Sequence, residues 1–532
     1  MRAAVAIEKL SVALPSDGDR PFAVEEISLE VAKGEILCVV GESGSGKSVL
    51  ASAIMGALPH GLRHAEGRII FGGRDIAALP EQELRAIRGR HIAMIFQEPM
   101  AALNPAIRIG EQIAEILEIH EPEMPRAERE ARALALMREM QLPDPETIAR
   151  RYPHEISGGQ CQRVVIAMAL AWNPSLLIAD EPTTALDVTT QAQILKLIKA
   201  LRDEHGHGVL FVTHDFGVVA DIADRVAVMQ RGRLVEIGPV AQVLNDPVHP
   251  YTKQLIAAVP SLIPRARPEP AEAPALRLEG VSRFFGPLRA VDDVTFDVPS
   301  GGTVAIVGES GSGKSTLAKA VIRLLAPNAG RTLIEDVDFA RLSGRELMRR
   351  RRLIQMVFQD PFGSLNPNRT VGAMLTRAGV LGGLEAGEAK AQAAELLDLV
   401  GLQREALERK PEAFSGGQRQ RIGIARALAM RPSIIVADEA VSALDVSVQR
   451  QVLELLERLQ RDRGLTMLFI THDLRVAAGI ADRIAVMQRG RVVEFGPAVQ
   501  VLLNPAHPYT VELVAAAPGR EWQSAQRAAQ AQ

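Results

Sequence analysis

Two decapeptides decide the reading of this sequence: GESGSGKSVL at residues 41–50 and GESGSGKSTL at 308–317. Each fits G-x-x-x-x-G-K-[ST], through Gly41, Gly46, Lys47 and Ser48 in one copy and Gly308, Gly313, Lys314 and Ser315 in the other. Glycines at these positions let backbone N–H groups turn inward around a phosphate. Glu42, Ser43, Gly44 and Ser45 form the turn in the first copy, and Glu309, Ser310, Gly311 and Ser312 in the second. A helix entered through Val49 or Thr316 aims its positive N-terminus at the same anion. The lysine supplies a point charge for the β- and γ-phosphates, and the serine hydroxyl is a Mg²⁺ ligand. A merely flexible glycine loop is the plain alternative. Two copies, each set between a strand-like and a helical run, speak against it.

The copies extend outward. MIFQEP with LNP (94–105) returns as MVFQDP with LNP (356–367), and ISGGQCQR (156–163) as FSGGQRQR (414–421). LLIADEP (176–182) returns as IIVADEA (434–440), TTALDV (183–188) as VSALDV (441–446), FVTHD (211–215) as FITHD (469–473), and HPYT (249–252) as HPYT (507–510). The offset falls from 267 at the glycine loops to 262 at Gln97 and Gln359, then holds at 258 from Ser157 and Ser415 onward. The second copy is therefore shorter only between its loop and its SGGQ segment, as expected of surface connections. A repeat of this size is a whole domain rather than a solenoid unit. The expected division is 1–262, a Pro/Ala-rich linker at 263–275, and 276–532 with a polar tail that is expected to fray after Trp522.

Within each copy, EILCVVG and TVAIVG, LLIAD and IIVAD, and GVLFVTHD and LTMLFITHD are short buried strands that alternate with helical runs. That alternation predicts an α/β fold on a parallel sheet. The stretch between Gln97 and Ser157 reads as a small helical subdomain. The chain has 532 residues, 47% hydrophobic and 23% charged, with a net charge of −3, which gives no ground for a nucleic-acid partner. Two cysteines, Cys38 and Cys161, exclude a disulfide framework. The longest apolar runs, such as VVIAMALAW (164–172), are about half of what a membrane helix needs.

Asp180 and Asp438 end apolar strands beside the phosphate loops, where a Mg²⁺ shell needs charge. Glu181 and Glu439 follow at once, placed to orient or deprotonate an attacking water. HGHG (205–208) reads as a polar turn rather than a metal site, and 349–352 as a solvated basic helix face.

Ser157, Gly158, Gly159 and Gln160, with Ser415, Gly416, Gly417 and Gln418, narrow the class, because they resemble the signature of ATP-binding cassette (ABC) ATPases. The resemblance implies two tandem P-loop NTPase cassettes, each a RecA-like sheet with a helical and an antiparallel β subdomain. It implies nucleotide-sensing glutamines that also reach the metal at Gln97 and Gln359, D-loop aspartates at Asp187 and Asp445, and switch histidines at His214 and His472. It further implies head-to-tail pairing within the chain, each loop facing the other repeat's SGGQ turn, with ATP and Mg²⁺ as cofactors. The adenine is expected on Phe284 or Phe285 in the second copy. Leu14 falls where Phe285 aligns in the first, with Phe22 as a possible substitute.

DEP-TTALDV, DEA-VSALDV and the two HPYT segments are similar to the peptide/nickel importer subfamily in fused form. That resemblance implies two membrane permease subunits, a solute-binding protein acting through them, and a peripheral place on the cytoplasmic face of the membrane. It implies no iron–sulfur cluster, since the extensions carry no cysteine. A tandem cassette acting on ribosomes or DNA is the alternative, which the short linker opposes. Export rather than import is a further reading.

Overall fold

The structure, a computed structural model, describes residues 3–16, 20–183, 186–265, 267, 273–442 and 444–530. The chain forms two units: Met1–Leu186 with Thr190–Val259 and Pro518–Gln532, and Asp187–Thr189 with Pro260–Ala517. Much of the expected linker, residues 266 and 268–272, lies outside the described residues, as do 184, 185 and 443 of the TTALDV and VSALDV segments. A strand begins at Pro274.

In the first unit, runs of apolar residues without alternation, such as Ile36–Val40 and Gly208–Val212, are buried at every position. Strands of that kind belong in a sheet covered on both faces. They form a six-stranded sheet ordered Arg233–Pro239, Arg225–Gln230, Ile36–Val40, Gly208–Val212, Leu176–Asp180, Ile92–Ile95, parallel except for the first pair. Ala3–Ala13, by contrast, pairs antiparallel with both Phe22–Ala32 and Arg63–Phe71 in a separate four-stranded sheet. Between Gln97 and Ser157 lie the expected helices, chiefly Ile109–His120 and Arg126–Glu139.

The second unit repeats both sheets. Its six strands run Arg491–Pro497, Arg483–Gln488, Thr303–Val307, Thr466–Ile470, Ile434–Asp438, Ile354–Val357, in the same spatial sequence. Helices Val371–Leu381 and Ala386–Leu399 make its helical part. The glycine-loop strand sits inside each six-stranded sheet, so each loop leaves from the carboxyl end of a parallel strand. Ligands of open α/β sheets bind at that edge.

The two tyrosine-bearing segments close each unit. His249 caps Pro250–Ala258 by accepting from Tyr251 N–H at 3.2 Å, and His507 does the same for Pro508–Ala515. Glu236 and Glu494 accept from the backbone N–H groups of residues 248 and 249, and 506 and 507. Sequence reasoning treats the end of the chain as a frayed tail, and the structure instead shows a helix, Arg520–Gln530. Trp522 explains the difference. Its ring packs on the core of the first unit while its Nε1 donates to Asn245 Oδ1 at 3.1 Å.

Among the described residues no helix is long and apolar enough to cross a membrane. The HGHG turn is structural: His207 is buried, its Nδ1 against the Pro174 carbonyl. The basic run is tied down as well, Arg350 pairing with Glu335 and Glu346 and Arg351 donating to the Arg323 carbonyl.

Candidate active sites

Each glycine loop has a shape that only glycine allows at its ends. Gly41 has φ 155 and Gly308 φ 149. A Cβ there would stand 2.2 Å from the carbonyl oxygen of Met229 or Met487. Gly46 and Gly313, at φ 100 and 103, would meet the carbonyls of Ala23 and Ala290 at 2.5 and 2.1 Å. Gly44 and Gly311 also have positive φ, and a Cβ there would touch nothing within 4 Å. The loops are thus packed against the sheet at their ends and open at their middle. Lys47–Ile54 and Lys314–Val321 begin at the ends of the loops, and Val49 and Thr316 lie in their first turns.

Both lysines fold back over the loops. Lys47 Nζ donates to Gly41 O at 2.8 Å and Glu42 O at 3.0 Å, and Lys314 Nζ to Gly308 O and Glu309 O at 2.7 Å each. Burial pulls the Lys314 ammonium below its ordinary pKa, against the pull of nearby carboxylates led by Glu439. A strongly desolvated cation beside backbone carbonyls is poised to exchange them for a phosphate oxygen.

Ser48 Oγ donates to Asp180 Oδ1 at 3.1 Å, and Ser315 Oγ to Asp438 Oδ1 at 2.9 Å. Burial raises both aspartates above the usual carboxylate range, and the serine hydroxyls offset this only in part. These are hard oxygen donors of the kind Mg²⁺ takes, and a bound cation would reverse the shift. The donor set fits that metal.

Glu181 and Glu439 turn away from the strands with φ 47, a left-handed conformation that costs a glutamate about 1–3 kcal/mol. In return their N–H groups reach the carbonyls of Val212 and Ile470 at 3.0 Å. The carboxylates then meet the other predicted residues. Gln97 Nε2 donates to Glu181 at 3.2 Å, and Gln359 Nε2 to Glu439 at 2.8 Å. His214 Nδ1 lies 3.3 Å from Glu181, and His472 Nδ1 lies 3.4 Å from Glu439. Loop, strand-end aspartate, glutamate, glutamine and histidine therefore converge in each unit.

Burial disfavours the His472 imidazolium, but the hydrogen bond and charge of Glu439 outweigh it, so the pKa rises above 6.5. His214 is raised in the same way by Glu181. Burial works on Glu439 in the raising direction, yet His472 and then Lys314 bring its pKa below 4.5. The sign for stability follows. The histidine's contribution is full below its unfolded pKa and is lost as pH rises through the raised value. The glutamate's contribution is full above its unfolded pKa and is lost as pH falls through the lowered value. Melting temperatures of the wild type should therefore drop from about pH 6 to about pH 9, and the drop should shrink in His214→Gln/His472→Gln. Parallel wild-type and variant curves over that range would contradict the pairing.

Ser157 and Ser415 stand at the N-caps of Gly158–Leu170 and Gly416–Ala429. Each closes a capping box: the serine Oγ accepts from Gln160 or Gln418 N–H, and the glutamine Oε1 accepts from the serine N–H at 3.0 Å. Gly159 and Gly417 admit no side chain, since a Cβ would lie 2.6 Å from Thr190 Cγ2 or 2.7 Å from Val448 Cγ1. The segment is a built helix N-terminus, suited to an anion. Asp445 occupies the N-cap position of Val446–Arg463, and Asp187 falls in the second unit.

Residues 24–184 and 291–442 match the family described as ABC transporter, and 235–283 and 493–531 match the oligopeptide/dipeptide transporter, C-terminal region. The chain belongs to the ABC transporter family. The glutathione import ATP-binding protein GsiA of Escherichia coli (strain K12) is 46% identical over 562 residues, covering 97% of this chain and 90% of its own. The protein of the same name from Salmonella choleraesuis (strain SC-B67) is 46% identical over 565 residues, with the same coverage. A dimeric post-hydrolysis structure of the ATP-binding cassette MJ0796 with ADP and Pi is 31% identical, covering 44% of this chain and 98% of that one at a TM-score of 0.41. On the family match and the curated relatives, each unit is an ATP-binding cassette, and the chain is an ATPase.

Phe285 ends the strand Pro274–Phe285, half exposed, with the Arg283 guanidinium 4.8 Å from its ring centre. Its counterpart Leu14 donates its N–H to the Pro21 carbonyl, in a connection that includes residues 17–19, outside the described set. Sequence reasoning missed Arg20, which donates to the Gly44 carbonyl of the first loop at 2.6 Å. It also missed what joins the signature to the helical part. Arg419 donates to the carbonyls of Pro411 and Glu412 at 2.7 and 3.1 Å, whereas its counterpart Cys161 makes only long sulfur contacts among the described residues, to Pro153 O at 3.5 Å and Met100 Sδ at 3.4 Å. Burial pushes the Cys161 thiol up, which makes it an inert replacement.

Proposed function

We propose that this chain energises the uptake of peptides or peptide-like small solutes through two partner permease subunits. The observation that carries this is the 46% identity, across 97% of the chain, to proteins named as glutathione import ATP-binding proteins. The oligopeptide/dipeptide transporter region, present once per cassette, supports the same reading. Glutathione itself is the first solute to test. The chain would act on the cytoplasmic face of the membrane, with a solute-binding protein delivering cargo from the other side.

ATP with Mg²⁺ would bind at two composite sites. The first would use Lys47, Ser48, Gln97, Asp180, Glu181 and His214, completed by the turn that Ser415 and Gln418 enclose. The second would use Lys314, Ser315, Gln359, Asp438, Glu439 and His472, completed by the turn of Ser157 and Gln160. The duplication supports this arrangement, because each of these site residues has a counterpart of the same type in the other cassette. Bound Mg²⁺ would neutralise charge between the β- and γ-phosphates. Ser48 and Asp180, or Ser315 and Asp438, would hold it, with Gln97 or Gln359 adding an amide oxygen.

The glutamates would then take the proton of the attacking water. The half-buried histidine beside each would favour the ionised carboxylate while itself contacting the γ-phosphate. Closure around ATP and release after hydrolysis would form a two-state switch read by the glutamine segments, which meet the permeases.

Membranes carrying the chain with its permeases should take up labelled glutathione or short peptides only when ATP is supplied. The Glu181→Gln/Glu439→Gln chain should co-purify with two membrane subunits. Co-purification with ribosomes or nucleic acid instead would overturn the transport reading.

A further inference from the structure

The C-terminal extension touches the phosphate loop in both cassettes, through the same atom. Tyr251 Oη accepts a hydrogen bond from Glu42 N–H at 3.1 Å, and Tyr509 Oη accepts one from Glu309 N–H at 3.0 Å. The partners are 209 and 200 positions apart in the chain, and both tyrosines are buried, at 6% and 5% exposure. The peptide unit engaged is the same in each cassette. It joins Gly41 to Glu42, or Gly308 to Glu309. Its N–H goes to the tyrosine, and its C=O accepts from the P-loop lysine at 2.8 or 2.7 Å.

That peptide is therefore held from both ends, by the extension on one side and by the lysine on the other. The neighbouring glycine cannot hold it alone, since glycine tolerates many backbone conformations. A hydrogen bond made at the N–H of a peptide also polarises its C=O, which strengthens the lysine contact. The tyrosine itself is fixed. Its helix begins at a His-Pro pair, with the histidine ring capping the tyrosine N–H and a glutamate anchoring the turn before it. In the second cassette burial raises the phenol to about 12, so Tyr509 keeps its proton at any working pH.

We infer that Tyr251 and Tyr509 are positioning residues that set the first peptide of each phosphate loop, and through it the P-loop lysine, so that the C-terminal extension and nucleotide occupancy are linked. The inference rests on the nucleotide-site reading and goes beyond it, because it gives the HPYT segment a task inside the cassette. Linkage of this kind is reciprocal. Losing the hydroxyl should weaken nucleotide binding, and nucleotide should steady the helix that carries the tyrosine.

The test uses the full chain and MgADP, which binds without turnover. Tyr251→Phe/Tyr509→Phe keeps both rings and removes only the hydroxyls. Its dissociation constant for MgADP should rise about tenfold, the scale on which losing one hydrogen bond at a part-buried amide acts. MgADP should protect the amides of 251–258 and 509–515 from hydrogen exchange in the wild type, and should do so less in the variant. Leu255→Ala/Leu513→Ala removes buried side chains from the same helices without touching the loops. It should lower the melting temperature and leave MgADP affinity within about twofold. Should the double tyrosine variant fold poorly, each single variant is measured against the site it retains. Unchanged affinity in the tyrosine variants, or an equal loss in the leucine variant, overturns the inference. A wild type that binds no MgADP would instead strike at the nucleotide-site reading itself.

Discussion

Replacing Glu181 and Glu439 together by glutamine should lower steady-state phosphate release by about 10²–10⁴-fold, the share a positioned general base supplies. The substitution keeps size and hydrogen-bonding capacity while removing the proton acceptor. Gln97 or Gln359 and the histidine on each side still find a polar partner. ATP should still bind, since the glycine loops, the lysines and the serine–aspartate pairs are untouched. The two single variants carry a sharper message. Both cassettes hold the same six side-chain types in near-equal geometry, the glutamine–glutamate distances differing by 0.4 Å, at 3.2 and 2.8 Å. Glu181→Gln and Glu439→Gln should therefore damage turnover to a similar degree. Full activity in one beside collapse in the other would show that only one site is competent.

The second large effect concerns the lysines. Lys47→Ala and Lys314→Ala each remove a buried cation that now rests on two loop carbonyls. A hydrogen bond to a charged group contributes about 1.5–3 kcal/mol, so nucleotide affinity at the affected site should fall by roughly tenfold to 150-fold. Stability should fall much less, because removing the ammonium also relieves its desolvation. Equilibrium dialysis of labelled ADP against each variant reads this directly. An affinity equal to the wild type's would remove the lysine from the phosphate site.

Most of this site could be read from residue order, because its chemistry lies in short contiguous segments. The glycine loop, the strand-end Asp-Glu pair and the Ser-Gly-Gly-Gln turn each carry local geometry that their residue types impose. The capping box at Ser157 and Ser415 is an example, since S-x-x-Q ahead of an apolar helix is itself an N-terminal signal. What stayed hidden depends on long-range packing. Nothing in HPYT says that a hydroxyl will meet an amide about two hundred residues away. Arg20 and Arg419 likewise act through carbonyls, which no sequence pattern marks. The order of the polar tail has a related cause. Its composition suggests a frayed end, and a single ring, Trp522, supplies the apolar contact that holds the helix Arg520–Gln530. The position proposed for adenine stacking is a point at which the repeat breaks. Leu14 there cannot stack as Phe285 can.

The most direct measurement is the number of ATP molecules trapped per chain by the Glu181→Gln/Glu439→Gln protein after rapid removal of free nucleotide. Two complete and equivalent sites predict two ATP per chain, released together. One ATP per chain would contradict the account, since it would mean that the second cassette supplies structure for a single site rather than a second site of its own.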